Sequence, residues 1–263
     1  MRVLVTGGDG LVGSAVVAHL REHGHELALL RGDARDREAV AAAANGVDAV
    51  AHLAAIPSPF HHPADEVFGN NALATFTVLW TAAELGVRRF VIAGSVNATG
   101  LIMNPHQPPP ARYPIDETTP PDVADPYSLS KQVDELTLKA VCRRFGATGF
   151  ALRLPLMISE ANRDGLRAWA AENAAGGRGD GWGWLDVRDA AEAFRLALTM
   201  PGDGAQVVHV AATDTFQDTP TEDLLARYAP DVPRDRPFAG RTAPVDTSRA
   251  RELLGFTPRY GED

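Results

Sequence analysis

The feature that most constrains this chain is TGGDGLVG at 6–13, which directly follows the β-rich run RVLVT at 2–6. Gly7, Gly10 and Gly13 stand at three-residue spacing. Without side chains there, the backbone can turn tightly and approach a diphosphate, which then sits at the positive end of the helix that follows. An amphipathic run over 11–23 supplies that helix. A glycine-rich turn alone is compatible with an ordinary strand-to-helix connection. The strand before it and the helix after it are what favour a dinucleotide site.

The same alternation continues along the chain. Strand-like runs at 25–30, 47–55, 88–95, 148–154 and 205–211 are interleaved with helical runs at 36–45, 64–85 and 126–146, and a short helix closes the chain at 247–255. This predicts an α/β fold: a Rossmann doubly wound parallel sheet covered by helices on both faces. The proline-rich stretch 97–125 reads as loop, and Asp125-Pro126 as a helix N-cap followed by proline at the first helical position. Residues 156–186 read as irregular or partly helical. We expect a core of 1–155 continued by 187–212, and a small C-terminal substrate lobe built from 156–186 and 213–263.

Composition narrows the class. With 263 residues and 45% hydrophobic content, a substantial core is expected. The net charge of -9, with both signs mixed along the chain, leaves no nucleic-acid footprint and no basic membrane stripe. No apolar run approaches the roughly 20 residues of a membrane helix. Cys142 is the sole cysteine, so no internal disulfide forms and a cytoplasmic location is expected. His61-His62 lacks further ligands at defined spacing, so no metal site is expected.

YSLSK at 127–131 places Tyr127 and Lys131 four apart on one helical face. An ammonium beside a phenol favours the phenolate, which makes a tyrosine a usable general acid/base. Such a pair in isolation is usually just a solvated helix face.

It is not isolated here. TGGDGLVG, HLAA at 52–55, a strand ending at Ser95, and YSLSK together resemble the extended short-chain dehydrogenase/reductases, the NAD(P)-dependent epimerase/dehydratase family. NNALAT (70–75), AGSVNATG (93–100), PIDETTPPDVADPYSLSK, ALRLP, WLDVRDAAEAF and DTSRARELLGFTPRY are similar to later family segments, in the family's order, over nearly the whole chain. The resemblance implies that Tyr127 is the acid/base, that Lys131 holds the nicotinamide ribose and tunes Tyr127, and that Ser95 hydrogen-bonds the reacting oxygen. It places Gly7, Gly10, Leu11, Val12 and Gly13 at the pyrophosphate, and Leu53, Ala54, Ala55 and Pro155 beside the cofactor. Asn71 joins that set in a structural capacity. Val96, Asn97 and Arg163 join Ser95 as substrate-side residues. A homodimer through a four-helix bundle is also implied, and the helices at 64–85 and 126–145 carry Val67, Phe68, Phe76, Leu79, Trp80, Val133, Leu136 and Val141, more apolar side chains than one sheet face needs.

The departures matter as much. Arg31 stands eighteen positions after Gly13, where an NAD-binding member would show an acid for the ribose diol. An arginine can instead pair with a 2′-phosphate, which favours NADP over NAD, while Asp33 two positions on could restore NAD. Arg31 runs directly into GDARD (32–36), so the family's intervening helix and strand are missing or very short. Only about thirty residues separate Pro155 from Val187, which suits a monosaccharide-sized substrate better than a nucleotide sugar. Gly94 stands where a serine is common. Arg153, Arg163 and Arg167 are candidates for gripping a carboxylate or hydroxyls. Asp186 and Asp189 read as strand-end and helix-cap residues, and Trp182 and Trp184 as pocket wall or core.

The reading is a dehydrogenase or reductase acting on a small polyol, sugar acid or carbonyl compound, closest in compactness to uronate-dehydrogenase-like members. The alternatives are a nucleotide-sugar epimerase or dehydratase, and a non-catalytic NAD(P)-sensing protein. Ser95, Tyr127 and Lys131 together argue against the sensor.

Overall fold

In the first strand, alternate side chains go to opposite faces of a sheet: Val3 and Val5 enter one core and Leu4 the other. That division organises the molecule, of which the computed structural model describes residues 1–261. The elements run β1 (Arg2–Thr6), α1 (Leu11–Glu22), β2 (Glu26–Leu29), α2 (Arg37–Ala44), β3 (Ala49–His52), α3 (Ala64–Glu84), β4 (Arg89–Ser95), α4 (Pro126–Phe145) and β5 (Thr148–Leu154). They continue with β6 (Leu156–Ile158), α5 (Arg163–Glu172), β7 (Trp184–Asp186), α6 (Val187–Thr199), β8 (Ala205–His209), α7 (Thr221–Tyr228) and α8 (Ser248–Leu254).

Six strands form a parallel sheet in the order β2-β1-β3-β4-β5-β8. On one face, Val3, Val5, Ala51, Val91, Phe150 and Leu152 pack against α1, α6 and α8. On the other, Leu4, Val50, Phe90 and Ile92 pack against α2, α3 and α4. The chain crosses from one half of the sheet to the other between β1 and β3, the switch point at which doubly wound sheets open a crevice at their carboxyl ends.

β2 is an edge strand. The chain leaves it through 30–36 and enters α2 directly, with Asp36 capping the Glu38 and Ala39 N–H groups, so among the described residues no further strand lies beyond β2. The shortened segment read from Arg31-GDARD is therefore a real truncation of the sheet.

The stretch 156–186 is more ordered than expected. β6 and β7 pair in parallel, Leu156 with Trp184 and Ile158 with Asp186, and α5 connects them. Three-residue strands are too short to leave a periodic signal, which explains why they went unread. The segment 213–263, whose last two positions lie outside the described residues, divides between two places. Phe216, Leu224, Leu225 and Phe238 build small cores over the sheet's carboxyl end, whereas Ala250, Leu254 and Phe256 pack on the main sheet core. Of the surplus apolar residues on α3 and α4, Val67, Leu79 and Val141 are buried in the core. Phe76 (46%) and Leu136 (61%) stay exposed, joined by Leu73 and Leu129. No helix among the described residues is long and apolar enough to cross a membrane.

Candidate active site

The cleft, of about 990 Å³, opens where β1, β3, β4 and β5 end. Its floor is the glycine loop. Gly7 takes φ +68°, and a Cβ there would lie 2.6 Å from the Ala54 nitrogen; one on Gly13 would lie 2.0 Å from the Gly7 carbonyl oxygen. Neither position tolerates a side chain. Gly10, Leu11, Val12 and Gly13 line the cleft from the first turn of α1. That turn has no side-chain cap and no acidic residue, in contrast to α2, α4 and α6, which Asp36, Asp125 and Asp186 cap. Free N–H groups and a positive helix end fit a dinucleotide's diphosphate.

Thr6 fixes the opposite wall. Its Oγ accepts the N–H groups of Leu53 (3.2 Å) and Ala54 (3.3 Å), so its proton goes to His52 Nδ1 at 2.7 Å. His52 then donates from Nε2 to Thr75 Oγ at 3.1 Å. Burial, seconded by the charge of Lys131, pushes the His52 pKa down to about 3, so this relay stays neutral. Leu53 and Ala55 face the cleft, and Ala54 meets the Gly7 backbone. Asn71 does not line the cleft. It accepts from Ile56 N–H (2.8 Å) and donates to the Ile56 carbonyl (3.0 Å) and to Ser130 Oγ (3.1 Å), tying this wall to α4.

β4 delivers Ser95 and α4 delivers Tyr127 and Lys131 to the middle of the cleft, with Val96, Asn97 and Pro155 beside them. Asp125 starts α4 where expected, accepting the Ser128 N–H at 2.8 Å. Ser95 Oγ accepts from the Asn97 backbone (3.1 Å) and from Asn97 Nδ2 (3.2 Å), which leaves its own proton free to donate. Lys131 is buried, donates to the Ala93 carbonyl and to Asp134 Oδ2, each at 3.1 Å, and sits 5.7 Å from the Tyr127 ring centre. Burial alone would lower the Lys131 pKa; the charges of Asp134, Tyr127 and Glu135 outweigh it, and the pKa is raised. Asp134 escaped the sequence reading, although an acid three positions after Lys131 shares its helical face.

The structure places other expected residues elsewhere. Arg163 is outside the cleft, paired with buried Asp186 at 3.3 Å and stacked 5.3 Å over Trp184. Arg153 is held by Glu135 at 2.8 Å, and Arg167 by Asp218 at 2.9 Å. Buried Asp186 and half-buried Glu135 claim two of these three cations, because an unpaired buried charge is costly. Arg31 and Asp33 are exposed and do not line the cleft; Asp33 is gripped by Arg35 at 2.7 Å, whose hydrogen bonds hold its carboxyl at about 2. Asp189 accepts the Arg259 and Tyr260 N–H groups, His62 faces Glu66 in an exposed loop, Trp182 lines the cleft and Trp184 packs on Phe216.

A parallel doubly wound sheet, a diphosphate-ready glycine loop and a serine, tyrosine and lysine at its carboxyl end define an NAD(P)-binding Rossmann enzyme of the short-chain dehydrogenase/reductase type. Residues 3–211 match the family model described as NAD dependent epimerase/dehydratase family, and the chain belongs to that family. It is 29% identical to a UDP-glucose 4-epimerase of Streptococcus mutans, over all of this chain and 93% of that enzyme. It is 30% identical to an NAD-dependent glucose-6-phosphate dehydrogenase of Haloferax volcanii, over 51% of this chain and 60% of that one. Among solved structures, a short-chain dehydrogenase/reductase superfamily protein of Agrobacterium tumefaciens with bound NAD superposes with TM-score 0.74, at 24% identity over 99% of this chain and 93% of the other, a likeness of fold.

Asp134→Asn removes the charge that keeps Lys131 protonated against burial. The Lys131 amine should then lose its proton at lower pH, read as a lower midpoint in a side-chain NMR titration. An unchanged midpoint would show that Asp134 is not what holds the proton.

Proposed function

We propose that this chain is an NAD(P)-dependent dehydrogenase or reductase that moves a hydride between the nicotinamide and a small alcohol or carbonyl compound. The observation that carries it is the convergence of the Ser95 hydroxyl, Tyr127 and Lys131 on the cleft that the glycine loop floors. When bound, the nicotinamide supplies or accepts the hydride. In the oxidative direction Tyr127 takes the substrate's hydroxyl proton, and in the reductive direction it returns it. Ser95 donates to the substrate oxygen, and Lys131 would hold the ribose.

The epimerase reading has the full-length similarity to the Streptococcus enzyme behind it. Against it, that alignment runs over 330 positions onto a chain of 263 residues, and the 156–186 segment that would enclose a nucleotide diphosphate is short. An epimerase would return the hydride and leave no net change in nicotinamide absorbance.

For the cofactor we favour NADP. Arg31 offers a guanidinium near the end of β2, and Asp33, the acid that could accept from a ribose diol, is committed to Arg35. With a panel of alcohols and ketones followed at the nicotinamide absorbance, turnover should be more efficient with NADPH than with NADH. Tyr127→Phe should keep NADPH affinity and lose about 10²–10⁴-fold in turnover. Near-normal turnover in that variant would sink the mechanism.

The exposed stripe of Leu73, Phe76, Leu129 and Leu136 on α3 and α4 supports a homodimer formed by these two helices. Sedimentation at micromolar concentration should give the mass of two chains. A single-chain mass would rule the dimer out.

A further inference from the structure

Beyond Ser95 and Tyr127 the cleft continues under the small lobe, and its walls there are largely apolar. Met103, Met157, Leu166, Trp169, Trp182 and Phe216 supply the surface. The polar groups among them are largely turned to the protein's own backbone. Asn162 accepts from the Ser159 N–H (2.7 Å) and donates to the Met157 carbonyl (3.3 Å), and Gln217 donates to the Ala170 carbonyl at 2.8 Å. Asp180 accepts the Trp182 N–H at 3.1 Å. Glu172 adds a carboxylate at the rim.

No cation reaches this half. Among the described residues that line the cleft, Lys131 is the sole lysine or arginine, and it stands at the nicotinamide end, committed to Ala93 and Asp134. The arginines nearest in sequence serve the protein itself. Arg153 answers Glu135, Arg163 answers Asp186, Arg167 answers Asp218, and Arg178 donates to the Gln107 carbonyl at 2.6 Å. A diphosphate or a carboxylate taken out of water needs charge-assisted partners, and this wall offers carboxylates instead.

We propose that the substrate half of the cleft takes an uncharged, largely apolar ring ketone or the corresponding secondary alcohol, and neither a nucleotide sugar nor a sugar acid. The chemistry rests on the reading above. Bound reduced nicotinamide would supply the hydride for the carbonyl carbon and the Tyr127 hydroxyl the proton for the oxygen, leaving the alcohol and the oxidised cofactor. The apolar lining supplies affinity for the ring, and Ser95 and Tyr127 supply its orientation. Where the S. mutans relative is named for UDP-glucose, no lysine or arginine among the described residues of this half meets such a ligand's diphosphate.

The test titrates the protein, saturated with NADP⁺, with cyclohexanone, 1-decalone, UDP-glucose and D-glucuronate, following the fluorescence of the wall tryptophans and calorimetric heat. Each methylene buried should tighten binding by about fourfold, so 1-decalone should bind at least about tenfold tighter than cyclohexanone. UDP-glucose and D-glucuronate should show no saturable binding in the same range. Leu166→Arg, which puts a cation into the wall, should weaken 1-decalone by about tenfold or more and leave NADP⁺ affinity unchanged. Tighter binding of either charged sugar, equal affinity for the two ketones, or indifference of 1-decalone to Leu166→Arg would overturn the proposal. Ketone binding as expected, with no oxidation of NADPH on adding 1-decalone, would uphold the pocket's class and overturn the dehydrogenase reading instead.

Discussion

The site depends on one backbone-to-backbone approach. The loop after β1 folds onto the chain leaving β3 at Gly7 and onto the first turn of α1 at Gly13, so closely that neither glycine has room for even a methyl group. Parallel pairing of Val3 with Ala49 and Thr6 with His52 sets the two strand ends level, and the Thr6 hydroxyl then accepts the N–H groups of Leu53 and Ala54. With the loop pinned, the first turn of α1 faces the cleft with its N–H groups uncapped. Asn71 carries the same fixation across to α4, tying the cleft wall at Ile56 to the helix bearing Tyr127 and Lys131.

Charge is distributed so that, among the described residues lining the cleft, Lys131 is the sole lysine or arginine. It is kept protonated in a buried place by Asp134 beside it, while the arginines of β5 and α5 are drawn away to carboxylates behind the walls. The neutral His52 relay near Lys131 adds no second positive charge, because burial holds its imidazole in the unprotonated form. The result is a cleft with a positive helix end and one ammonium along its cofactor half, and an apolar surface along the other.

The sequence was most legible where a residue type has one structural use. Glycines at three-residue spacing, proline after Asp125, and strand runs alternating between two cores gave the sheet, the loop and the start of α4 close to their observed limits. The shortest strands were not legible: β6 and β7 span three residues each, too few for periodicity to register. Side-chain pairing was not legible either. Arg163 and Arg153 look available on a sequence, and their engagement by Asp186 and Glu135 follows from which carboxylates the fold buries, a fact of tertiary structure. Asp134 is the converse case, an ordinary helical acid whose importance comes from the burial of its neighbour.

The close approach of the glycine loop is tested most directly by calorimetric titration of NADPH into the wild-type protein and into Gly13→Ala, with circular dichroism to establish that both are folded. The added methyl would fall 2.0 Å from the Gly7 carbonyl oxygen, so the loop and the first turn of α1 must move apart. NADPH should bind the wild-type chain saturably and fail to bind the folded variant at the same concentrations. Equal affinity in the two proteins would contradict the assignment of this loop as the cofactor's seat.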